Sequence, residues 1–293
     1  MLVNFADILK DAEKGNYAVG GFNTPTLETL KAVIDAAQEM NSPVMINHAE
    51  GDQGVVDIDV IGPLMIEYAK KATVPVAVHI DHGLTDDFVL RAIRAGFTSI
   101  MYDMSAYDFE TNVEKTSKFV KIAHSIGVSV EAMINEMPAN MPGKGMTIGW
   151  NTARTDDIPL SEFFTRPNEA GEFCERTGVD ALTVSFGTVH GKYVAKPNLD
   201  IERLKAIKEK TPHTSLVMHG GSGVDAAQVR DAINHGVRKI NYYTAMTTAP
   251  APEILKTIEG SKDPIYFENI AQMGYEIMKE KCMAAIKIFL NKD

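Results

Sequence analysis

The sequence predicts an α/β fold of the (β/α)8 barrel type, and three observations support this prediction. The chain has 293 residues, enough for one barrel of about 250 residues with additions. Eight short apolar runs alternate with longer amphipathic segments. The apolar runs are continuous and rich in β-branched residues, which is typical of parallel strands buried on both faces. An open dinucleotide-binding sheet is disfavoured, because GGFNTPT after the first strand is not a GxGxxG turn.

The predicted strands are spaced regularly along the chain. They span 17–23, 43–49, 74–81, 98–103, 128–133, 180–187, 215–221 and 239–244. Helical patterns fill the intervals, as in 27–40 and 109–127, and glycines mark the predicted ends of several helices: Gly96, Gly127, Gly178 and Gly236.

Two segments interrupt this alternation. Residues 134–160 form a long loop after the fifth strand, and loops of that length in a barrel usually act as lids or interface arms. Residues 262–290 predict one or two extra helices, which are candidates for packing on a neighbouring subunit. No internal boundary is evident, so we expect one domain over residues 1–293.

Composition and charge exclude several classes of protein. The chain carries 29 Lys and Arg against 39 Asp and Glu, a net charge of −10, whereas a nucleic-acid-binding protein needs a basic face. No apolar run approaches the ~18 residues of a membrane span, and the first residues lack the pattern of a secretory signal. Cys174 and Cys282 form neither a CxxC motif nor a disulfide framework. We therefore expect a cytoplasmic protein with no nucleic-acid or membrane partner.

Polar side chains accumulate at the carboxyl ends of the predicted strands, where barrel enzymes carry their active sites. Four histidines lie at the ends of three strands: His79, His82, His190 and His219. Three neutral imidazoles from separate strands, with an open fourth position, suit a catalytic Zn²⁺. Any one of them alone is more simply a hydrogen-bonded barrel histidine. Asp81 next to His82 could orient a metal ligand or act as an acid/base on a substrate hydroxyl.

A glycine-rich segment predicts an anion site. HGGSG at 219–223 follows a strand and opens a helix, so its backbone N–H groups can hold a phosphate. A phosphate site near the seventh and eighth strands recurs in barrels, and Thr244 can add a hydroxyl there.

With these residues in place, the chain resembles the class II, zinc-dependent ketose-bisphosphate aldolases of the fructose- and tagatose-bisphosphate type. The similarity runs over about 17–244, through GFNTPTLETL, VPVAVHIDHG, VSVEA, TGVDALTVSFGTVHGKY, LVMHGGSGV and KINYYT. The resemblance implies a TIM barrel that reversibly cleaves a ketose 1-phosphate to dihydroxyacetone phosphate and an aldehyde. A homodimer or homotetramer is the assembly that it implies.

The resemblance also implies roles for individual residues. Zn²⁺ would be bound by His82, His190 and His219, and Asp81 would be the acid/base at the C4 hydroxyl. Asp103 and Glu131 match acids with structural or secondary-metal roles. Substrate and phosphate contacts, with a monovalent cation such as Na⁺ nearby, are implied for Asn23, Gly191, Gly220, Gly221, Ser222, Asn241 and Thr244.

The chain departs from the family pattern at the distal end of the substrate pocket. The usual E-A-E-L-G motif reads EAMIN at 131–135. The lid motif that supplies the acid for the C3 proton in the family is absent, and the candidates for that acid in this chain are Glu136, Asp156 and Asp157. Tyr243 stands in place of an acid or amide, and Thr247 in place of an arginine that grips the distal phosphate. Asn47 and His48 differ on the second strand. Specificity for the distal group is therefore expected at Asn47, His48, Tyr243 and Thr247, with Lys144 or Arg154 of the lid as further candidates.

Several functions remain open from the sequence. One is ordinary fructose- or tagatose-bisphosphate cleavage, and another is an aldolase for a different distal group, such as 6-deoxy-6-sulfofructose 1-phosphate giving sulfolactaldehyde. A third is a non-catalytic phosphosugar-binding protein. A zinc-dependent barrel hydrolase is disfavoured, because such enzymes place an HxH motif on an early strand and this chain has none there.

Overall fold

A computed structural model describes residues 1–140, 159–193 and 195–292. Eight parallel strands follow one another around a closed barrel, and the last pairs with the first, which confirms the predicted fold. The barrel strands are β1 (Val19–Asn23), β2 (Val44–Ala49), β3 (Val76–Gly83), β4 (Ser99–Tyr102), β5 (Ser129–Met133), β6 (Ala181–Thr183), β7 (Ser215–Met218) and β8 (Val237–Asn241).

Helices surround the barrel in the order that the sequence predicts. They are α1 (Phe5–Gly15), α2 (Leu27–Glu39), α3 (Ile58–Lys71), α4 (Asp86–Ala95), α5 (Phe109–Ser125), α6 (Pro167–Thr177), α7 (Ile201–Lys210), α8 (Ala226–Asn234), α9 (Thr244–Thr248), α10 (Pro250–Gly260) and α11 (Phe267–Phe289). Short 3₁₀ helices occupy Glu50–Gly54 and Leu160–Phe163, and a separate pair of short strands joins Ala139–Asn140 to His190–Gly191.

The two ends of the barrel differ in chemistry. Helix α1 precedes β1 and covers the amino-terminal end, where Phe5 and Leu9 pack on Val19, Met45 and Val217 of the barrel strands. The layer between strands and helices is apolar as well. The carboxyl ends of the strands carry the polar side chains, which places the candidate site at the end opposite α1.

The glycines predicted to end helices adopt the expected backbone. Gly96 and Gly178 are the caps of α4 and α6, with φ of 97° and 73°. Gly127 and Gly236 lie one residue beyond the caps of α5 and α8, and their φ values are also positive. Glycine is favoured at these positions because the left-handed region is strained for side chains with a Cβ.

Several strands end before their predicted bounds, whereas the C-terminal segment holds an extra helix as the sequence predicts. β6 ends at Thr183, four residues before the end of the predicted strand. The predicted 262–290 segment holds a single helix, α11, whose buried face packs on its own barrel and on α2, with the Tyr275 hydroxyl donating to Asp35 at 2.8 Å. Most of the predicted loop, 141–158, lies outside the described residues. Within the described part of the chain, no helix is both long and apolar enough to cross a membrane.

Candidate metal centre and active site

Three histidines converge at the carboxyl end of the barrel. His82 is the last residue but one of β3, His219 directly follows β7, and His190 lies in the loop after β6. One ring nitrogen from each lies within 4.8 Å of the other two. His219 Nδ1 is 3.0 Å from His82 Nε2 and 3.4 Å from His190 Nε2. His82 has an unusual backbone φ of 53°.

These three rings fit a tetrahedral metal ion. Zinc–nitrogen bonds of about 2.0–2.1 Å place neighbouring ligand nitrogens roughly 3.3 Å apart, close to the two spacings observed here. A metal ligand must be the neutral imidazole. Burial lowers the pKa of both His190 and His219, which keeps these rings neutral. Burial also acts on His82, but the hydrogen bond to Asp103 and the nearby Asp81 raise its pKa overall.

Two carboxylates orient the histidine rings. Asp103 Oδ2 lies 2.6 Å from His82 Nδ1, and Glu131 Oε1 lies 3.0 Å from His219 Nε2. In each ring the other nitrogen is then the one that faces the histidine cluster. Such carboxylate–histidine pairs are a regular feature around protein-bound metals, because they fix the tautomer and the ring plane.

Asp81 lies next to the cluster and is held by two amides. Asn23 Nδ2 donates to Asp81 Oδ2 at 3.0 Å, and Asn241 Nδ2 donates to Oδ1 at 2.8 Å. Oδ1 is 3.9 Å from a ring nitrogen of both His82 and His219. Burial raises the pKa of Asp81, but the two imidazoles and Lys239 outweigh it and lower the pKa overall. The carboxylate is therefore ionised and able to accept a proton.

The loops after β6, β7 and β8 meet where the sequence predicts a phosphate site. Ser222 Oγ accepts a hydrogen bond of 3.2 Å from the N–H of Ala245, at the start of α9. A Cβ on Gly220 would lie 2.3 Å from the carbonyl oxygen of Val189, so only glycine fits there. The structure thus brings the Gly220–Ser222 loop against Val189 and against the start of α9 at Thr244, and these loops carry the residues implied for the phosphate: Gly191, Gly220, Gly221, Ser222 and Thr244.

The residues expected to contact the distal group are not all in one place. Tyr243 is half-buried. Burial together with the nearby Asp52 raises its pKa to about 12, although a hydrogen bond with Thr247 acts to lower it. Asn47 is completely buried in the barrel, near Gly21. His48 faces the helical layer instead, with its ring 6.1 Å from that of Phe88. Successive strand residues face opposite sides, so Asn47 and His48 cannot both face the pocket.

Candidates for the lid acid are divided between the described and undescribed parts of the chain. Glu136 is described, and both burial and Asp103 raise its pKa. Asp156, Asp157, Lys144 and Arg154 lie outside the described residues.

Two residues near the site were missed from the sequence. Lys239 of β8 is completely buried and pairs with Glu131 at 2.7 Å between Nζ and Oε2. Asp52, in the 3₁₀ helix after β2, is 3% exposed and accepts a hydrogen bond from the Ala49 N–H. The signal for Lys239 was a lysine directly before Ile240 and Asn241, within a strand predicted to be buried on both faces. Asp52 gave no signal that distinguished it from a surface acid.

Comparison with known proteins identifies the family. The family model "Fructose-bisphosphate aldolase class-II" matches residues 3–293. A probable fructose-bisphosphate aldolase of Bacillus subtilis is 35% identical, covering 98% of this chain and 97% of that one. A fructose-bisphosphate aldolase of Thermus caldophilus is also 35% identical, at 99% and 98% coverage. The crystal structure of the YdjI aldolase of Escherichia coli superposes with a TM-score of 0.84 at 32% identity, covering 99% of this chain and 97% of that one. The chain belongs to the class II fructose-bisphosphate aldolase family and is a metal-dependent lyase of carbohydrate metabolism.

Proposed function

We propose that this aldolase reversibly cleaves a ketose 1-phosphate, similar to fructose or tagatose bisphosphate, to dihydroxyacetone phosphate and an aldehyde. The observation that carries this proposal is the placement of an ionised Asp81 carboxylate 3.9 Å from two of three clustered imidazoles. An acid/base next to a metal centre is the arrangement that cleavage of a C–C bond beside a hydroxyl requires.

Zn²⁺ is the proposed metal, with His82, His190 and His219 as its ligands. When bound, the ion supplies a Lewis acid that polarises the substrate carbonyl. An all-nitrogen set of three neutral imidazoles favours zinc, cobalt or iron over magnesium or calcium. Asp103 and Glu131 take the structural role in this proposal, because each is engaged with the outer nitrogen of a histidine.

The proton steps are assigned to side chains of this chain. Asp81 accepts the proton of the C4 hydroxyl while the C4–O bond becomes a carbonyl and the C3–C4 bond breaks. The bonding electron pair passes to the dihydroxyacetone phosphate half, which then takes up a proton at C3. Glu136 is the described candidate for that proton donor, since its raised pKa favours the protonated acid.

The phosphate of the dihydroxyacetone half is assigned to the loops after β6, β7 and β8. We propose that backbone N–H groups at Gly191 and Gly220 bind it together with Ser222 and Thr244, and that a monovalent cation such as Na⁺ balances its charge. Gly221 lines the same site, while its own N–H donates to the carbonyl oxygen of Asn241 at 3.0 Å. Asn23 and Asn241 would contact the same half of the substrate while they hold Asp81.

A second candidate is an aldolase for a different distal group. Tyr243 and Thr247 cannot give the bidentate contact by which an arginine binds a phosphate, and Asp52 lies beside Tyr243. A sulfonate, as in 6-deoxy-6-sulfofructose 1-phosphate, is one such group. An uncharged hydroxylated or deoxy tail fits better beside the carboxyl of Asp52.

An aldol condensation panel tests both candidates. Zinc-loaded and chelator-stripped enzyme would be given dihydroxyacetone phosphate with glyceraldehyde 3-phosphate, sulfolactaldehyde, lactaldehyde or glyceraldehyde. Fastest zinc-dependent consumption of glyceraldehyde 3-phosphate supports a bisphosphate substrate, and preference for another aldehyde supports the second candidate. If no aldehyde is consumed and the C3 proton of dihydroxyacetone phosphate does not exchange, the chain is a phosphosugar-binding protein rather than a working aldolase.

Assembly and location remain predictions. We propose a homodimer or homotetramer, which sedimentation velocity would test, and a cytoplasmic location without nucleic-acid or membrane partners. Residues 1–293 are proposed to act as one aldolase domain.

A further inference from the structure

A lysine lies beneath the three histidines, inside the barrel. The Lys239 side chain is completely buried, and its Nζ lies 2.7 Å from Glu131 Oε2 and 3.1 Å from His79 Nε2. The Phe5 ring of α1 lies below, with its centroid 5.9 Å from Nζ. Because a buried ammonium group is unfavourable unless it is paired and hydrogen-bonded, these two partners are what hold it there.

Glu131 connects this lysine to the metal centre. Its Oε2 is taken by Lys239, while Oε1 accepts a 2.7 Å hydrogen bond from the Thr183 hydroxyl and lies 3.0 Å from His219 Nε2. Asn241 Nδ2 also lies 3.1 Å from this nitrogen, but it donates to Asp81 Oδ1 at the shorter distance of 2.8 Å. The ionised Glu131 carboxylate can only accept a hydrogen bond, so we assign the proton of His219 to Nε2. The lone pair is therefore on Nδ1, the nitrogen that lies 3.0 Å from His82 Nε2.

We propose that Lys239 is a positioning residue of the metal centre, which acts through Glu131 to fix the tautomer and ring orientation of His219. The inference rests on the proposed use of His219 as a metal ligand. The contacts of Lys239 are with Glu131, His79 and the Phe5 ring, so in this proposal it acts through Glu131 and not on the substrate.

The geometry shows why the lysine matters to His219. Glu131 Oε2 lies 3.5 Å from His79 Nε2, so a competing partner is close by on the side away from His219. Lys239 lies between these two groups and contacts both of them. His79 is fixed in turn, because its Nδ1 is 2.8 Å from the hydroxyl of Ser99. With the ammonium group in place, the carboxylate keeps Oε1 toward His219.

A glycine on the neighbouring strand provides room for the lysine. A Cβ on Gly21 of β1 would lie 3.0 Å from Lys239 Cε and 2.7 Å from Asn241 Oδ1. The absence of a side chain at this position is therefore part of the same arrangement, since a larger residue would displace the lysine and the amide that holds Asp81.

The test removes the charge pair while keeping the fold. Lys239→Met alone leaves a buried carboxylate without its cation and is expected to destabilise the protein. The double variant Lys239→Met/Glu131→Gln removes both charges and keeps an amide oxygen facing His219 Nε2. We expect it to fold but to bind zinc about 10- to 100-fold more weakly, as is usual when the outer partner of a metal ligand is changed.

Zinc affinity by chelator competition and the visible absorption of the Co²⁺-loaded protein are the readouts. The control is Arg238→Met/Glu13→Gln, which removes the neighbouring ion pair of β8, between the buried Arg238 and the exposed Glu13 of α1. Weaker zinc binding and a changed Co²⁺ spectrum in the Lys239 double variant, with neither change in the control, support the proposal. Zinc affinity within threefold of the wild type together with an unchanged spectrum overturns it.

A second measurement needs no variant. Long-range ¹H–¹⁵N spectra of the wild-type protein report which ring nitrogen of His219 carries the proton, and protonation at Nδ1 would overturn the proposal even if the double variant does not fold. Because all these readouts concern the metal centre, they are separate from the proposed function. A wild-type protein that binds zinc but consumes no aldehyde refutes the function and leaves this test intact.

Discussion

Asp81 depends on two amide donors, so its role can be tested by an almost isosteric change. In Asp81→Asn, the new amide places an NH₂ group against the Nδ2 donor of Asn23 or Asn241, and the proton acceptor is lost. We expect the rate of cleavage to fall by about 10²- to 10⁴-fold, with zinc content unchanged because Asp81 is not among the clustered imidazoles. Steady-state kcat and metal analysis measure both effects.

The control for Asp81 uses the other half of the reaction. Exchange of the C3 proton of dihydroxyacetone phosphate with D₂O does not involve the C4 hydroxyl, so the variant should retain exchange within about tenfold of the wild type. Loss of exchange and cleavage together would show that the substitution disrupts the whole site rather than one proton transfer.

Asp52 is a buried acid that makes the stability of the protein depend on pH. Burial raises the pKa of its carboxyl from 3.8 to about 6, and the nearby Asp81 adds to this, while the Ala49 N–H opposes it. The folded state then keeps a proton that the unfolded state releases, so stability falls as pH rises between about 4 and 6. Above pH 6 the ionised carboxyl costs at most about 3 kcal/mol.

Asp52→Asn is accordingly expected to stabilise the protein above pH 6. The amide oxygen can still accept from the Ala49 N–H, and nothing at position 52 is then ionised. Urea unfolding at pH 8 should show a gain of about 2–3 kcal/mol, which shrinks as the pH is lowered toward 4. In the control Asp7→Asn, whose side chain is 70% exposed, the change should stay within about 0.5 kcal/mol. A gain that is equal at both pH values would contradict this account.

Among the helices, α4 ends at a glycine whose only special requirement is its left-handed backbone conformation. Gly96 has a φ of 97°, and a Cβ there would meet Ile66 only at 3.6 Å, which is ordinary contact. Gly96→Ala should therefore lower the free energy of unfolding by about 1–2 kcal/mol, through backbone strain alone. The matched control is Gly260→Ala in α10, where nothing lies within 4 Å and φ is not left-handed. It should be neutral or slightly stabilising in the same chemical denaturation experiment.

The strands could be predicted because most of them are buried on both faces. All eight residues of β3 are buried, so the apolar run and the strand coincide. The end of β6 was misplaced for the same reason: Val184 and Phe186 are also completely buried after the strand has ended. Hydrophobicity reports burial and not strand pairing, and cannot show where the ladder stops.

Residues whose type suits only a few functions, such as the clustered histidines, could be predicted from the sequence. Residues whose role depends on a partner far away in the sequence could not. His82, His190 and His219 cluster because they lie at the ends of β3 and β7 and in the loop after β6, on the same end of the barrel. The position of His48 depends on which face of β2 each residue occupies, and a continuously apolar strand does not reveal that. Lys239 pairs with a carboxylate 108 residues away, so the sequence shows a lysine within a buried strand but does not identify its partner.

At the scale of the whole molecule, apolar packing and the candidate active site lie at opposite ends of the barrel. Helix α1 and the apolar residues Val19, Met45 and Val217 close the amino-terminal end. At the other end, three imidazoles and Asp81 are gathered with only His190 partly exposed. Such a preformed cluster binds a metal ion in the folded state and not in the unfolded chain, so metal binding should be coupled to global stability.

Zinc should therefore raise the melting temperature of the chelator-stripped protein. At a free concentration 100 times Kd, binding contributes about 2.7 kcal/mol, and with an unfolding entropy of about 0.6 kcal/mol/K for a chain of this length the expected shift is about 4 °C. Differential scanning calorimetry with and without Zn²⁺ measures it. His190→Ala removes one ring of the cluster at the partly exposed position, so it should fold and show a much smaller shift. An equal shift in this variant would place the stabilising ion elsewhere and refute the three-histidine centre.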